Sequence, residues 1–374
     1  MEKILFILKL PPPVHGSTLM NLNVFNSRLI KEQFDAHYFS LSLSRELNDV
    51  GRIKWYKLKK TIGDFFSLSR VLKKVKPTLV YFAVSPVGLA FYKDYIFYSI
   101  IKMHRVPVVF HHHGKGVSLQ GKKSSFYDFF YRRMFSGSYH ICLSKELLSD
   151  LSPYLKTDPY IVPNGIRDDG LQIDKIQKET TACRIIYLSN FIINKGILDV
   201  IAACKILKDQ GLDFEVALVG KAQDISENEI MDRIHDLGLT AHIKIVGPKY
   251  NEEKFKLLKK SDFFVFPTKY ERESFPLVIL EAMQSALPVI STREGGIPSM
   301  IDNDVQGFLI NKDDVPALAD KMSYLIRNPE IIERMGKHAR EKYESSYTLE
   351  KFEICLTQAI GSTLQHIVKN KNIA

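Results

Sequence analysis

Residues 269–292 read KYERESFPLVILEAMQSALPVIST. The run follows a short apolar strand at 263–266 and the turn-former Pro267, and it passes through a polar loop into a helix spanning 276–285. Ser274 is placed to cap that helix, and Pro276 falls in its first turn, where a missing N–H costs little. From Leu277 to Met283 the helix is apolar on nearly every side, so it is expected to be buried. It nevertheless carries Glu281, with Glu273 just ahead of its start. A carboxylate in such a helix is costly to desolvate unless something hydrogen-bonds it. A capped helix N-terminus is also a natural seat for an anion. Two readings of the residues stay open. In one, the segment offers a phosphate seat flanked by two working carboxylates. In the plainer one, Glu281 meets a buried Arg or Lys and Glu273 is solvated.

Working outward, the same strand–loop–helix unit recurs along the chain. Apolar runs at 4–8, 79–83, 108–112, 139–143 and 160–162 alternate with helix-length segments, among them 18–30. Pro163-Asn164-Gly165 closes this series, and the polar stretch 167–182 reads as a linker. The pattern then restarts with strands at 185–188, 214–219, 243–246, 263–266, 288–291 and 307–310. Helices are expected at 196–210, 225–237, 252–260, 276–285, 316–326 and 329–343. Strands that are continuously apolar and spaced by helices indicate a parallel sheet covered on both faces. The expectation is an α/β protein of two Rossmann-like doubly wound domains, 1–166 and 167–345, facing an interdomain cleft. The amphipathic segment 346–374 is expected to pack back on the first domain as a C-terminal helix.

With 374 residues there is room for two ordinary domains. Cys142, Cys183, Cys204 and Cys355 form no CxxC pair, which excludes a disulfide framework and a zinc knuckle as readings of the pattern. Lys9 and Pro11–Pro13 interrupt the apolar start, and the run 79–92 is broken by Pro86 and Gly88, so neither a signal peptide nor a membrane span is expected. Residues 1–166 hold 24 Lys and Arg against 11 Asp and Glu, while the remainder holds 28 against 31. That asymmetry calls for a polyanionic partner of the first half. The densest stretch, 52–76, interleaves Arg52, Lys54, Lys57, Lys59 and Lys60 with Trp55 and other aromatic and apolar residues. Such a mixture suits a helix lying on an anionic membrane, although a charge run also serves simply as a solvated helix face.

Ligands of doubly wound sheets bind beyond the carboxyl ends of the strands. Five strand-end segments are therefore candidates: Pro11–Gly16, His111-His112-His113-Gly114, Ser189–Gly196 with Asn190 and Lys195, Gly247-Pro248-Lys249, and the opening segment 269–292. Lys195 opposes the dipole at a helix N-terminus, which a bound phosphate would repair. His111 and His113 share a face of an extended segment, yet no carboxylate or cysteine nearby completes a metal set. Asp302-Asn303-Asp304 imitates a metal-binding DxD but sits in a polar turn. Rossmann, Walker, GxSxG and HExxH signatures are missing.

Taken in order, these residues resemble the retaining glycosyltransferases of the large family four, which have the GT-B fold. The likeness is carried by the E-x7-E motif Glu273–Glu281 (ESFPLVILE), by GGIPSMI at 295–301 and by VPNGI at 162–166, with support from Lys195-Gly196, Gly220, Gly247, His113-Gly114 and Gly16. The resemblance implies transfer of a sugar from a nucleotide donor, a UDP-sugar being favoured over a GDP-sugar, with retained anomeric configuration and no metal or other cofactor. It implies that Glu281 binds the ribose hydroxyls, and that Ser274, Phe275, Pro276 and Leu277 line the donor sugar and phosphates. Lys195 is implied to neutralise the departing diphosphate and Glu273 to hold the transferred sugar. Gly16 approaches the phosphate, His113 contacts sugar or acceptor, and Gly247 and Lys249 flank the base. One departure stands out. The family's Gly-Arg is here Ser189-Asn190, so a charged contact becomes neutral; Arg272 and Lys269 are candidate substitutes. The implied role is assembly of a bacterial surface polysaccharide or lipid-linked glycan in the cytoplasm, on the inner face of the cell membrane, with no nucleic-acid partner. A sugar-nucleotide epimerase of the same fold, or a non-enzymatic nucleic-acid-binding protein, is the alternative.

Overall fold

The computed structural model describes residues 1–41, 55–168 and 182–373, with side chains described over 1–41, 63–168 and 182–370. It divides into two compact units, Met1–Gly165 together with Leu349–Ala374, and Ile166–Thr348. Arg52, Lys54 and most of the expected linker lie outside the described residues. So do the side chains of Trp55, Lys57, Lys59 and Lys60, whose backbone begins the helix Trp55–Val75.

Unit 1 is built on six parallel strands: β1 (Lys3–Leu8), β2 (Asp35–Ser40), β3 (Leu79–Val84), β4 (Val108–His112), β5 (Tyr139–Cys142) and β6 (Tyr160–Ile161). Their spatial order is β2-β1-β3-β4-β5-β6. The chain moves from β1 to β2 on one side and then to β3 on the other, so the order reverses between β1 and β3. Helices Trp55–Val75, Gly88–Met103 and Ser125–Phe135 bury Leu68, Leu72, Phe91, Phe97, Tyr131 and Phe135 against Val80, Phe82, Val84 and Phe110 of the sheet. Each fully buried large side chain of this kind contributes about 1.5–3 kcal/mol. The helix Leu349–Ile373 belongs to this unit, where its Phe352 ring lies 6.4 Å from that of His111.

Two local features differ from the sequence expectation. Strand β2 was not expected: DAHYFS has no continuous apolar run, because an edge strand is only half covered and its residues are intermediate or exposed throughout. The helix expected over 18–30 is two helices, Gly16–Asn26 and Arg28–Gln33. Ser27 leaves the helical region (φ −54°, ψ 123°), and its hydroxyl accepts from Ile30 N at 3.3 Å. A serine that can bond the backbone locally competes with helix continuation.

Unit 2 carries β7 (Cys183–Leu188), β8 (Phe214–Val219), β9 (Ile243–Gly247), β10 (Phe263–Phe266), β11 (Val289–Thr292) and β12 (Gly307–Ile310), all parallel, in the order β12-β11-β10-β7-β8-β9. The reversal here falls between β7 and β10. The segment that opened the sequence reading lies at this point, and its helix, Leu277–Gln284, has Ile279, Leu280, Ala282 and Met283 buried. The cap position is Pro276, with no side-chain cap, so Ser274 is not the N-cap expected of it. Its carbonyl instead accepts Gly296 N at 2.6 Å.

Helix Pro329–Ser346 crosses this helix so closely that a Cβ on Gly336 would lie 2.3 Å from Ala286 O. Gly361, within Leu349–Ile373, has no atom within 4 Å of such a Cβ. Helix propensity alone favours alanine over glycine by about 1 kcal/mol at either site. Gly361→Ala is therefore expected to stabilise by roughly 0.5–1 kcal/mol. Gly336→Ala is expected to lose roughly 1–3 kcal/mol, because overpacking outweighs propensity. Denaturant midpoints of the two variants, moving in opposite directions, check this pair.

Candidate functional site

The loops that follow β7 and β10 are stitched together by backbone. Lys269 N donates to Asn194 O at 2.8 Å. Gly196 adopts φ +85°, and a Cβ there would lie 2.3 Å from Pro267 O. Only glycine meets both demands. On the other flank Gly295, at φ +55°, leaves 2.3 Å between a would-be Cβ and Glu273 O. Thr292 Oγ1 bonds the Thr268 carbonyl, and Ser291 Oγ donates to Phe266 O at 2.6 Å. The GGIPSM segment thus braces the loop that carries Glu273.

These constraints bring Lys195 and Glu273 together. Lys195 Nζ lies 3.4 Å from Glu273 Oε2, with the carboxylate side chain 11 % exposed. The ammonium also sits 5.8 Å above the Phe266 ring and 5.7 Å above Tyr270, where ring faces attract a cation. At 3.4 Å the pair is an electrostatic contact rather than a made hydrogen bond. Glu273 Oε2 accordingly has no hydrogen-bond partner among the described residues. Glu273 is therefore not the solvated residue of the plainer reading.

Glu281, eight residues on, does meet a lysine, as that plainer reading had it, although the cation is half-buried. Lys254 on helix Asn251–Lys260 approaches Glu281 Oε1 at 2.6 Å, with the two side chains 20 % and 13 % exposed. Glu281 Oε2 is enclosed and without a hydrogen-bond partner among the described residues; leaving such an acceptor unmade costs about 1–3 kcal/mol. Burial pushes the Glu281 carboxyl up from the usual carboxylate range, and the Lys254 ammonium opposes that rise.

The remaining donor-side candidates fall around the same strand ends. Asn190 Nδ2 donates to Gln223 Oε1 at 3.3 Å. Gly220, behind it, would place a Cβ 1.8 Å from Ser189 O. Gly247 takes φ +75° at the end of β9, and Lys249 pairs with Glu253 at 3.3 Å. The Phe275 side chain is buried against Tyr347 with ring centroids 5.9 Å apart, so its backbone, not its ring, is what the loop can present. Lys269 is not available to replace the missing arginine: it is held by Asp199 at 3.2 Å and Asp313 at 2.5 Å. Arg272 is exposed.

Unit 1 assembles its own cluster at the ends of β1 and β3. Lys9 pairs with the fully buried Asp94, whose Oδ2 also accepts Ser85 N at 2.8 Å. Gly16 opens the helix Gly16–Asn26. His113 follows β4 directly, and burial, aided by the nearby Lys9 charge, drives its pKa down to about 3 despite a hydrogen bond with Asn164. It is neutral at any ordinary pH. His112 and His140 form a relay: His140 Nε2 donates to Phe135 O at 2.9 Å, so its Nδ1 accepts from His112 Nε2 at 3.0 Å. Lys9, Asp94 and Lys254 escaped the sequence reading. For Lys254 the one available signal was its place one residue from buried Phe255 and four from buried Leu258, at the margin of the helix's apolar face.

Residues 169–342 match the family described as glycosyl transferases group 1. An amylovoran biosynthesis glycosyltransferase of Erwinia amylovora is 32 % identical over 168 residues, 44 % of this chain and 41 % of that protein. A capsular polysaccharide biosynthesis glycosyltransferase of Staphylococcus aureus is 28 % identical over 192 residues, 50 % of this chain and 49 % of that one. The alignments thus span about half or less of these curated relatives. Among solved structures, the HepE protein of Anabaena in complex with UDP superimposes with a TM-score of 0.71 at 17 % identity, covering 96 % of this chain and 100 % of that one. The fold is GT-B.

The buried histidines give unit 1 a defined acid response. The pKa of His113 is lowered to about 3 and that of His140 to about 4, both below the ordinary 6.5. Their neutral forms stabilise the fold fully above pH 6.5, and that stability is lost as pH falls toward the lowered values. The upper bound is about 1.4 kcal/mol per pH unit for each histidine that must charge on unfolding. Denaturant titrations from pH 7.5 to 4.5 are expected to show falling stability, and His113→Asn to flatten the slope.

Proposed function

From the premise that residues 169–342 are a group 1 glycosyl transferase segment, we propose that the protein transfers a sugar from a nucleotide-sugar donor to a glycan or lipid-linked acceptor in bacterial surface polysaccharide synthesis, with retention at the anomeric carbon. The observation that carries this is the Lys195–Glu273 pair held at the strand reversal between β7 and β10. A UDP-sugar is favoured over a GDP-sugar, in keeping with the UDP held by the HepE protein.

In this reading Lys195 turns its ammonium to the diphosphate as the bond to the sugar breaks, a preorganised charge aimed where negative charge develops. The 3.4 Å separation from Glu273 leaves its N–H groups free to do so. Glu273 holds hydroxyls of the transferred sugar and steadies positive charge at its anomeric carbon. The backbone N–H groups of Phe275 and Leu277 supply donors at the helix start, since Pro276 has none. Glu281 accepts from the ribose hydroxyls, and Gly247 and Lys249 flank the base. Asn190 gives a neutral contact to the phosphates, so Lys195 carries the larger share. His113, uncharged, acts as a hydrogen-bonding group toward sugar or acceptor, and Gly16 allows close backbone approach. Metal ions and cofactors are not required by any of these roles.

An anionic bilayer is the proposed support for the acceptor, at the inner face of the cell membrane. Residues 63–135 contain 12 Lys and Arg against only Asp64, Asp94 and Asp128, and none of the three acids is exposed. The same stretch exposes Phe66, Met103, Phe126 and Phe129, a mixture of cations and apolar side chains suited to a lipid interface. No helix among the described residues is long and apolar enough to cross a membrane.

Glu273→Gln and Lys195→Ala are each expected to cut sugar transfer by about 10²–10³, measured by release of nucleoside diphosphate against a panel of UDP- and GDP-sugars with isolated acceptor lipid. Transfer at wild-type rate in both would end the assignment of these roles. In flotation with vesicles containing phosphatidylglycerol, Phe126→Ser/Phe129→Ser is expected to bind about tenfold more weakly, a loss of about 1.4 kcal/mol. Indifference of the parent protein to such vesicles at low salt, where attraction is strongest, would remove the membrane surface.

A further inference from the structure

We propose that Lys254 is a positioning residue for the nucleotide: it holds Glu281 as an oriented carboxylate, the state in which that side chain can accept from the vicinal hydroxyls of a ribose. The inference rests on the ribose role given to Glu281 above and adds what makes that role possible in this chain.

The geometry is specific. Lys254 Nζ reaches only Oε1, at 2.6 Å, and fills one of about four acceptor positions on the carboxylate. Oε2 keeps both of its lone pairs, without a hydrogen-bond partner among the described residues. The helices packed on Leu277–Gln284 leave Lys254 as the cation that serves Glu281. Helix Asn251–Lys260 delivers Lys254 itself. Helix Pro329–Ser346 delivers Arg340, but that guanidinium is taken by Asp168, Glu344 and the Gln284 carbonyl. Strand β11, packed on the same helix, carries no titratable group.

Withdrawing the cation from a carboxylate this enclosed shifts its balance toward the neutral acid. The neutral acid accepts hydroxyl hydrogen bonds poorly compared with the anion. Burial already raises the Glu281 pKa and Lys254 is the opposing influence. Removing the ammonium therefore raises it further, and nucleotide affinity falls as pH falls.

The test uses the full chain with UDP and 2′-deoxy-UDP as probes, measured by calorimetry at about pH 6.0, 7.0 and 8.5, since burial moves a carboxyl upward from its ordinary range. Variants are Lys254→Met, Lys254→Gln and Glu281→Gln, each expressed as a ratio to the parent so that titration of the phosphates cancels. Lys254→Met is expected to weaken UDP by about tenfold at the lowest pH, with the gap closing toward the highest, and to lose most of the preference for UDP over its 2′-deoxy analogue. Lys254→Gln keeps a donor to Oε1 without the charge and is expected to behave the same way, so it also covers the case in which the methionine variant does not fold. A loss of equal size at every pH would mark Lys254 as merely structural and overturn the proposal, as would parent-like affinity in either lysine variant. Loss of UDP binding in Glu281→Gln alongside parent-like lysine variants sinks the Lys254 role alone. Parent-like binding by Glu281→Gln removes the ribose role itself.

Discussion

Two backbone loops at the β7/β10 reversal are packed without room for a single methyl group between them, and the chemistry available to unit 2 follows from that contact. Gly196 against Pro267 sets the separation of the two loops, and Gly295, after β11, closes on Glu273 from the other flank. Lys269 N on Asn194 O fixes their register. With the main chain held this way, Lys195 and Glu273 face each other across a short, half-enclosed gap without being locked into a hydrogen bond. A looser loop would let the ammonium close on the carboxylate and neutralise both. A tighter one would leave no space for a ligand.

The two carboxylates of the ESFPLVILE run occupy different electrostatic settings although only a helical stretch separates them. Glu273 shares its surroundings with a lysine that also leans on two aromatic faces. Glu281 is set against a lysine from a neighbouring helix, at hydrogen-bond distance. One pair is therefore loose and exchangeable, the other fixed. That division suits the roles proposed for them, one facing a changing charge and the other gripping an unchanging part of a ligand.

Much of this was legible in the sequence because a parallel sheet covered on both faces demands continuous apolar strands, and eleven such runs were visible. Strand β2 was not, since an edge strand asks little of its side chains: Asp35 and His37 sit there as easily as Tyr38. The break at Ser27 depended on a hydroxyl choosing a local partner, which periodicity does not register. The expected Ser274 cap gave way to Pro276, and Ser274 O instead accepts from Gly296 N, roughly 75 Å of extended chain away. Both E-x7-E carboxylates and Lys195 could be singled out, because a charge beside an apolar run is conspicuous. Lys254 could not, because a lysine at the margin of an amphipathic helix looks like any solvated one. The same limit hid Asp199 and Asp313, which take Lys269 and leave Arg272 as an exposed cation near the loop.

Unit 2 begins and ends at one place. Ile166 N donates to Tyr347 O at 3.0 Å, Ile166 bridges Thr348, and Tyr343 Oη returns to Ile166 O at 3.0 Å. The entering and leaving chains are thus fastened to each other before either departs, in the manner of a domain inserted into a host by two adjacent stems. A module whose ends are tied in this way can be exchanged between hosts by two cuts at neighbouring points, with its own interior undisturbed. Recombination that swaps the segment from residue 166 to residue 348 therefore exchanges a single cassette, while the sheet of unit 1 and its C-terminal helix stay within one compact unit.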